Sequence, residues 1–136
     1  MGCKASQHET RSVDSQSGRR RRRRTTTHTA PLGLLLRKYN PTIPIMIGRV
    51  ERSSTPHLHG KWAESPEYTK RYGEYYPPWT FGSAGYVISG PIADYIATAP
   101  PSKLSFWQGE DVSMGVWLYD SPLEVIFVDA PGEFFT

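Results

Sequence analysis

The sequence has a single cysteine, Cys3, so no disulfide can form within the chain. A secreted domain of this size commonly carries bridges, and their absence points toward a reducing compartment. Long apolar runs are also missing. Leu32–Leu36 and Val125–Val128 fall far short of the roughly 18 residues of a membrane span, and there is no signal-peptide core. No internal repeat is present, which excludes solenoid and propeller architectures.

Charge is present but uneven. Residues 1–30 hold eight Lys/Arg against two acids, and residues 31–136 hold eight against eleven. The head is strongly basic and the body mildly acidic, so the net charge of +3 describes neither. The head is polar, carries Arg19–Arg24 and offers no apolar face to collapse, so a disordered basic tail is expected over 1–30. Its start, Met1-Gly2-Cys3-Lys4-Ala5-Ser6, fits an N-myristoylation pattern with Cys3 available for a second acyl chain. With the arginines this would make a cytosolic anchor on an anionic membrane. Nucleic-acid binding is disfavoured, because no aromatic residue is interleaved with the arginines and no recognisable module follows.

From residue 31 onward the chain patterns as α/β. Leu32, Leu35, Leu36 and Tyr39 have helical spacing, stopped by Asn40-Pro41. Residues 43–50 (IPIMIGRV) form an expected buried strand, and 61–64 a short one. Residues 51–60 are expected to be a loop, and 65–75 are charged and rich in Tyr and Gly. Residues 86–89 form an expected strand, after which Ser89 and Pro91 open a helix facing Ile92, Tyr95 and Ile96 inward, closed by Pro100-Pro101. A second helix is expected over 110–119 with Val112, Val116 and Tyr119 on one side, ended by Asp120-Ser121-Pro122, and a last strand over 123–128.

Three features bear on chemistry. Glu110-Asp111 opens a helix behind Gly109, where carboxylates serve either as helix-start stabilisers or as a rigidly mounted general base. Tyr75, Tyr76, Trp79, Phe81 and Tyr86 alternate with Pro and Gly; the rings either fill a core or pack on the C–H face of a sugar. His57 and His59 would share one side of an extended chain, but two ligands do not make a metal site, and surface-loop histidines fit as well.

The segments from Leu32 onward resemble, in order, the motifs of the family-31 inverting glycosyltransferases (β-1,3-galactosyltransferase-like hexosyltransferases). These are LLLRKYNPTIPIMIGRV, HGKWAES, YPPWTFGSAGYVIS, GEDVSMGVWL and VIFVDA. The resemblance implies a partial GT-A-type α/β domain with a mixed sheet and flanking helices, 31–136 being the C-terminal part of a transferase domain. It implies hexosyl transfer from a UDP-sugar to a glycan acceptor, with Mn²⁺ on the diphosphate, at a Golgi membrane. On the same basis Asp111 would be the catalytic base with Glu110 in support. Tyr76, Trp79, Gly82, Gly85 and Tyr86 would line the sugar side, and Lys61 and Trp62 the cleft wall. The sequence departs from the family pattern: it contains no Asp-x-Asp metal motif and none of the upstream nucleotide-binding strands expected before it, the Gly-rich turn has one residue more between Pro78 and Tyr86, and Thr80 stands where many members have Cys. A truncated enzyme is the expectation. The alternative is a non-catalytic interaction protein or remnant, tethered by its basic head.

Overall fold

The computed structural model describes residues 29–130. The Gly2–Cys3 and Arg19–Arg24 features lie outside that span. Helix α1 (Thr29–Leu36) begins slightly ahead of Pro31 and ends before Asn40-Pro41, as its spacing suggested. The chain then enters β1 (Ile45–Gly48), all four residues of which are buried. Alternation along a strand sends neighbouring side chains to opposite faces. Ile45 and Ile47 accordingly join Leu35 and Ala130 on one side. Met46 joins Ile92, Met114 and Leu118 on the other.

The sheet is mixed. β1 lies in the middle, antiparallel to β4 (Tyr86–Ile88), with Met46 opposite Ile88, and parallel to β5 (Ile126–Asp129), with Met46 opposite Phe127. A parallel partner needs a long crossover. Here that crossover is made by α3 (Gly90–Thr98) and α4 (Glu110–Tyr119), which cover the Met46 face. The molecule is thus an α/β domain with a mixed sheet and flanking helices. Ile92, Tyr95 and Ile96 of α3 face this core as their spacing predicted. Ser89 stands at the start of α3, but its hydroxyl does not cap the helix; it accepts the Ile45 N–H at 2.9 Å and ties β1 to the β4–α3 junction.

Two expectations need correction, and one stretch with no expected element gains one. The single strand over 43–50 is two: after Gly48 the chain turns at Arg49 into β2 (Val50–Glu51), which pairs with β3 (Trp79–Thr80) as a separate ribbon. The break is fixed from outside the strand, because Asp129 Oδ1 accepts the Val50 N–H at 3.1 Å and Arg52 donates to the Phe127 carbonyl at 2.9 Å. Residues 61–64 are not a strand; a lone bridge joins His57 to Ala63. Residues 65–75 contain a helix, α2 (Pro66–Tyr72), started by Pro66 and closed by Gly73 in the left-handed region. It brings the fully buried Tyr68 against Tyr76, Val112 and Val116 and so docks on α4.

Tyr68, Tyr72 and Tyr76 make this third core sensitive to base. Burial, the hydrogen bond to Asp120 and the charge on Asp120 push the Tyr72 hydroxyl up to about 12. Tyr68 and Tyr76 are pushed higher still, first by burial. Tyrosine in an unfolded chain titrates near pH 10. A group raised in the fold stabilises it fully below the unfolded value, and that contribution drains as pH climbs through the folded one. The fold is expected to lose stability steeply above about pH 10, with the Tyr72 contribution spent by about 12. A pH titration following far-UV circular dichroism and tyrosinate absorbance together checks this: the last part of the tyrosinate rise, belonging to these buried rings, should coincide with the loss of helical signal. Tyrosinate forming completely near pH 10 with the fold intact would contradict it.

Candidate functional site

One cleft of about 490 Å³ collects most of the chemistry-bearing side chains among the described residues. Its walls come from three segments. Ser54, Thr55, His57 and Trp62 belong to the long loop after β2; Tyr76, Trp79, Phe81 and Ser83 to the aromatic stretch around β3; residues 108–112 to the entry of α4. A second recess of about 220 Å³, against α1, is lined by Leu36, Tyr39, Ile45, Ile47 and Val87 and contains no charged side chain. It offers nothing for bond-making chemistry.

Asp111 is half-buried at the second position of α4. Its Oδ1 accepts the Val112 N–H at 2.9 Å and its Oδ2 accepts the Gly82 N–H at 3.2 Å. An ionised carboxylate offers about four lone-pair directions, so two remain after these bonds. The side chain is therefore fixed in aim yet still able to accept a proton. Helix-start stabilisation and a base role, which the sequence leaves as alternatives, are compatible in this geometry. Glu110 beside it is exposed and also lines the cleft.

Gly82 sits against both carboxylates. A Cβ there would lie 2.6 Å from Glu110 Oε1, the far end of an exposed side chain that can swing aside, so a substitution at 82 would displace Glu110 rather than the turn. Gly85 plays a backbone part: at φ +75° it ends the 3-10 turn Gly82–Ala84, its N–H bonded to the Gly82 carbonyl at 2.9 Å. Tyr86 does not line the cleft; it packs into the core around Met46 and Ile92. Burial pushes its hydroxyl up, and the charges of Glu110 and Asp111 add to the shift, so its phenol end lies within their electrostatic reach.

The rings are held firmly. The Trp79 indole N–H donates to Ser54 Oγ at 2.9 Å, and its ring leans on Phe81 with centroids 4.5 Å apart. Tyr76 is buried, with its hydroxyl donating to Glu64 Oε2 at 2.9 Å. Trp62, by contrast, is 55% exposed, an indole left open at the cleft mouth. Lys61 does not line the cleft; its ammonium rests 4.6 Å from the centre of the Trp62 ring. Of the nine residues singled out in the sequence, Glu110, Asp111, Trp62, Tyr76 and Trp79 thus share one cleft and Gly82 touches its two acids. Gly85, Tyr86 and Lys61 stand behind or beside it. His57 reaches the cleft and His59 does not. Ser54, Glu64, Ser83 and Gln108 were missed, being polar loop residues with no periodicity to mark them.

The described residues do not fit a bound Mn²⁺. No group of three or more His, Cys, Asp or Glu among them is placed to hold a metal ion, and Asp111 already accepts two N–H groups.

No protein-family model and no solved structure matches the chain. Comparison with curated proteins gives partial matches. The chain is 48% identical over 59 residues to UDP-GalNAc:beta-1,3-N-acetylgalactosaminyltransferase 2 of Mus musculus, covering 43% of this chain and 10% of that protein. The Homo sapiens protein of the same name is 46% identical over 59 residues, with 43% and 11% covered. A hydroxyproline O-galactosyltransferase of Arabidopsis thaliana is 36% identical over 84 residues, covering 58% of this chain and 11% of its own. Part of this chain is similar to glycosyltransferases. It spans about a tenth of the length of the curated relatives it matches. Among the described residues no helix is long and apolar enough to cross a membrane.

Proposed function

We propose that this chain carries the acceptor-side portion of an inverting hexosyltransferase, moving a galactosyl or N-acetylhexosaminyl group from a UDP-sugar to a glycan hydroxyl. The placement of Asp111 carries this reading: a rigidly mounted carboxylate with free lone pairs, in a cleft with Trp79, Phe81 and an open Trp62. Flat rings receive the C–H face of a sugar, and Ser54, Ser83 and Gln108 supply partners for its hydroxyls. The similarity to N-acetylgalactosaminyl- and galactosyltransferases supports the same class.

In this mechanism the acceptor hydroxyl gives its proton to Asp111 while its oxygen attacks the anomeric carbon from the face opposite the nucleotide. A new carbon–oxygen bond forms, the bond to the UDP oxygen breaks, and the configuration inverts. Glu110 lines the same cleft beside the base and supports it there. The nucleotide-binding residues and any Mn²⁺ ligands would come from outside 29–130, in a GT-A-type setting at a Golgi membrane. The proposal is tested by incubating the full chain with UDP-galactose or UDP-N-acetylgalactosamine, Mn²⁺ and a panel of oligosaccharide acceptors, and following glycoside formation by mass spectrometry. A new β-linked product would support it. No product from the chain, even when supplemented with the nucleotide-binding portion of a relative, would remove it.

A further inference from the structure

Glu64 falls in the 61–64 stretch expected as a short strand and within HGKWAES, and neither reading gives it a role, yet its carboxylate joins three segments. Oε2 accepts the Tyr76 hydroxyl at 2.9 Å and the Gln108 backbone N–H at 3.0 Å. Oε1 accepts the Ser65 N–H at 2.8 Å, beside the start of α2. Among the described residues no Lys or Arg pairs with it, so these donors alone offset its half-buried charge. The Gln108 N–H comes two residues before Glu110 and three before Asp111. The same stretch is pinned from the helix side, where the Trp107 N–H donates to Ser113 Oγ at 2.8 Å and the Ser113 N–H to the Gly109 carbonyl at 2.8 Å. The entry of α4 is therefore clamped between Ser113 within the helix and Glu64 across the cleft.

We propose that Glu64 is a positioning residue: it fixes the approach to α4, and through it the aim of Asp111 at Gly82 and the cleft. This deepens the transferase reading and rests on it for the role of Asp111. The clamp itself stands on the hydrogen bonds alone. Hydrogen bonds to an ionised carboxylate are stronger than those to an amide oxygen, and the Gln NH2 cannot accept the Ser65 N–H, so Gln should restore the clamp only in part.

The test uses the full chain with Glu64→Ala and Glu64→Gln, read by residue-resolved amide hydrogen exchange and, where transfer is measurable, by steady-state kinetics. In Glu64→Ala, exchange at Gln108 and Gly82 should speed up at least about tenfold while Met46 and Val116 keep their protection, the pattern of local rather than global opening. Glu64→Gln should fall between Glu64→Ala and the parent at both amides. In kinetics, kcat should fall with KM little changed, since the base is misaimed while the rings still hold the sugar. Unchanged exchange at Gln108 and Gly82 in Glu64→Ala would overturn the proposal. So would equal acceleration at all four amides, which would reduce Glu64 to a general stabiliser. If the parent chain transfers no sugar, the transferase reading fails, but the exchange pattern still decides whether Glu64 clamps α4.

Discussion

Asp111→Asn should lower sugar transfer at least about a hundredfold, the usual worth of a positioned general base. The substitution is nearly isosteric. The Asn carbonyl can still accept the Gly82 N–H that Asp111 Oδ2 accepts at 3.2 Å, so the wall of the cleft should survive. What is lost is the capacity to take a proton, the acceptor for the Val112 N–H, and a favourable charge at a helix start worth about 0.3–1 kcal/mol. Fold and activity are therefore expected to separate: a melting temperature within a few degrees of the parent, and initial rates down by two orders of magnitude or more. Initial rates at saturating acceptor, beside a thermal melt of the same preparation, check both halves. Turnover close to that of the parent would take Asp111 out of the mechanism.

Gly115→Ala should destabilise the fold by about 2 kcal/mol, even though it replaces the poorest helix former short of proline with the best. A Cβ at 115 would lie 2.7 Å from the Pro78 carbonyl oxygen and 2.7 Å from Trp79 Cβ. Neither neighbour is the end of a flexible side chain that could swing aside. They belong to the stretch entering β3, against which α4 packs directly. The helix must move off the ribbon. Two anchored contacts at 2.7 Å put the overpacking cost at the upper end of the usual range, about 3 kcal/mol, which leaves about 2 after the roughly 1 kcal/mol of added helix propensity. The damage should reach the site as well, because Trp79 and Asp111 lie on the two surfaces being forced apart. Denaturant unfolding gives the stability change. A variant more stable than the parent would mean that helix propensity outweighs the contact between α4 and β3.

Helices α3 and α4 were legible because both ends of each are punctuated. Ser89 and Pro91 open α3 and Pro100-Pro101 follows its last turn; Gly109 precedes α4 and Ser121-Pro122 comes soon after it. α2 carries similar marks in Ser65-Pro66 and Gly73, but no helix is expected over 65–75 from the sequence, and only the long-range docking of Tyr68 shows that its tyrosines form a core face. The division of residues 43–50 at Arg49 was not legible at all. It depends on Asp129, 79 positions from Val50, which no local pattern reports. Tyr119 illustrates the limit of periodicity: it has the spacing of Val112 and Val116, but at the last turn of α4 it is 68% exposed and meets only the edge of Tyr72. In the site, Trp79, Gly82 and Asp111 were legible from residue type and family resemblance. Glu64 was not, since its bond to Gln108 spans 44 positions.

Titration of the isotope-labelled chain with an oligosaccharide acceptor, followed by amide and indole N–H shifts in NMR spectra, bears most directly on the claim that this cleft holds a sugar beside Asp111. The expected result is a set of saturable shifts confined to Gly82, Ser83, Gln108, Asp111 and the indoles of Trp62 and Trp79. Shifts clustered instead around the apolar recess of Tyr39 and Val87, or none at any sugar concentration, would contradict it.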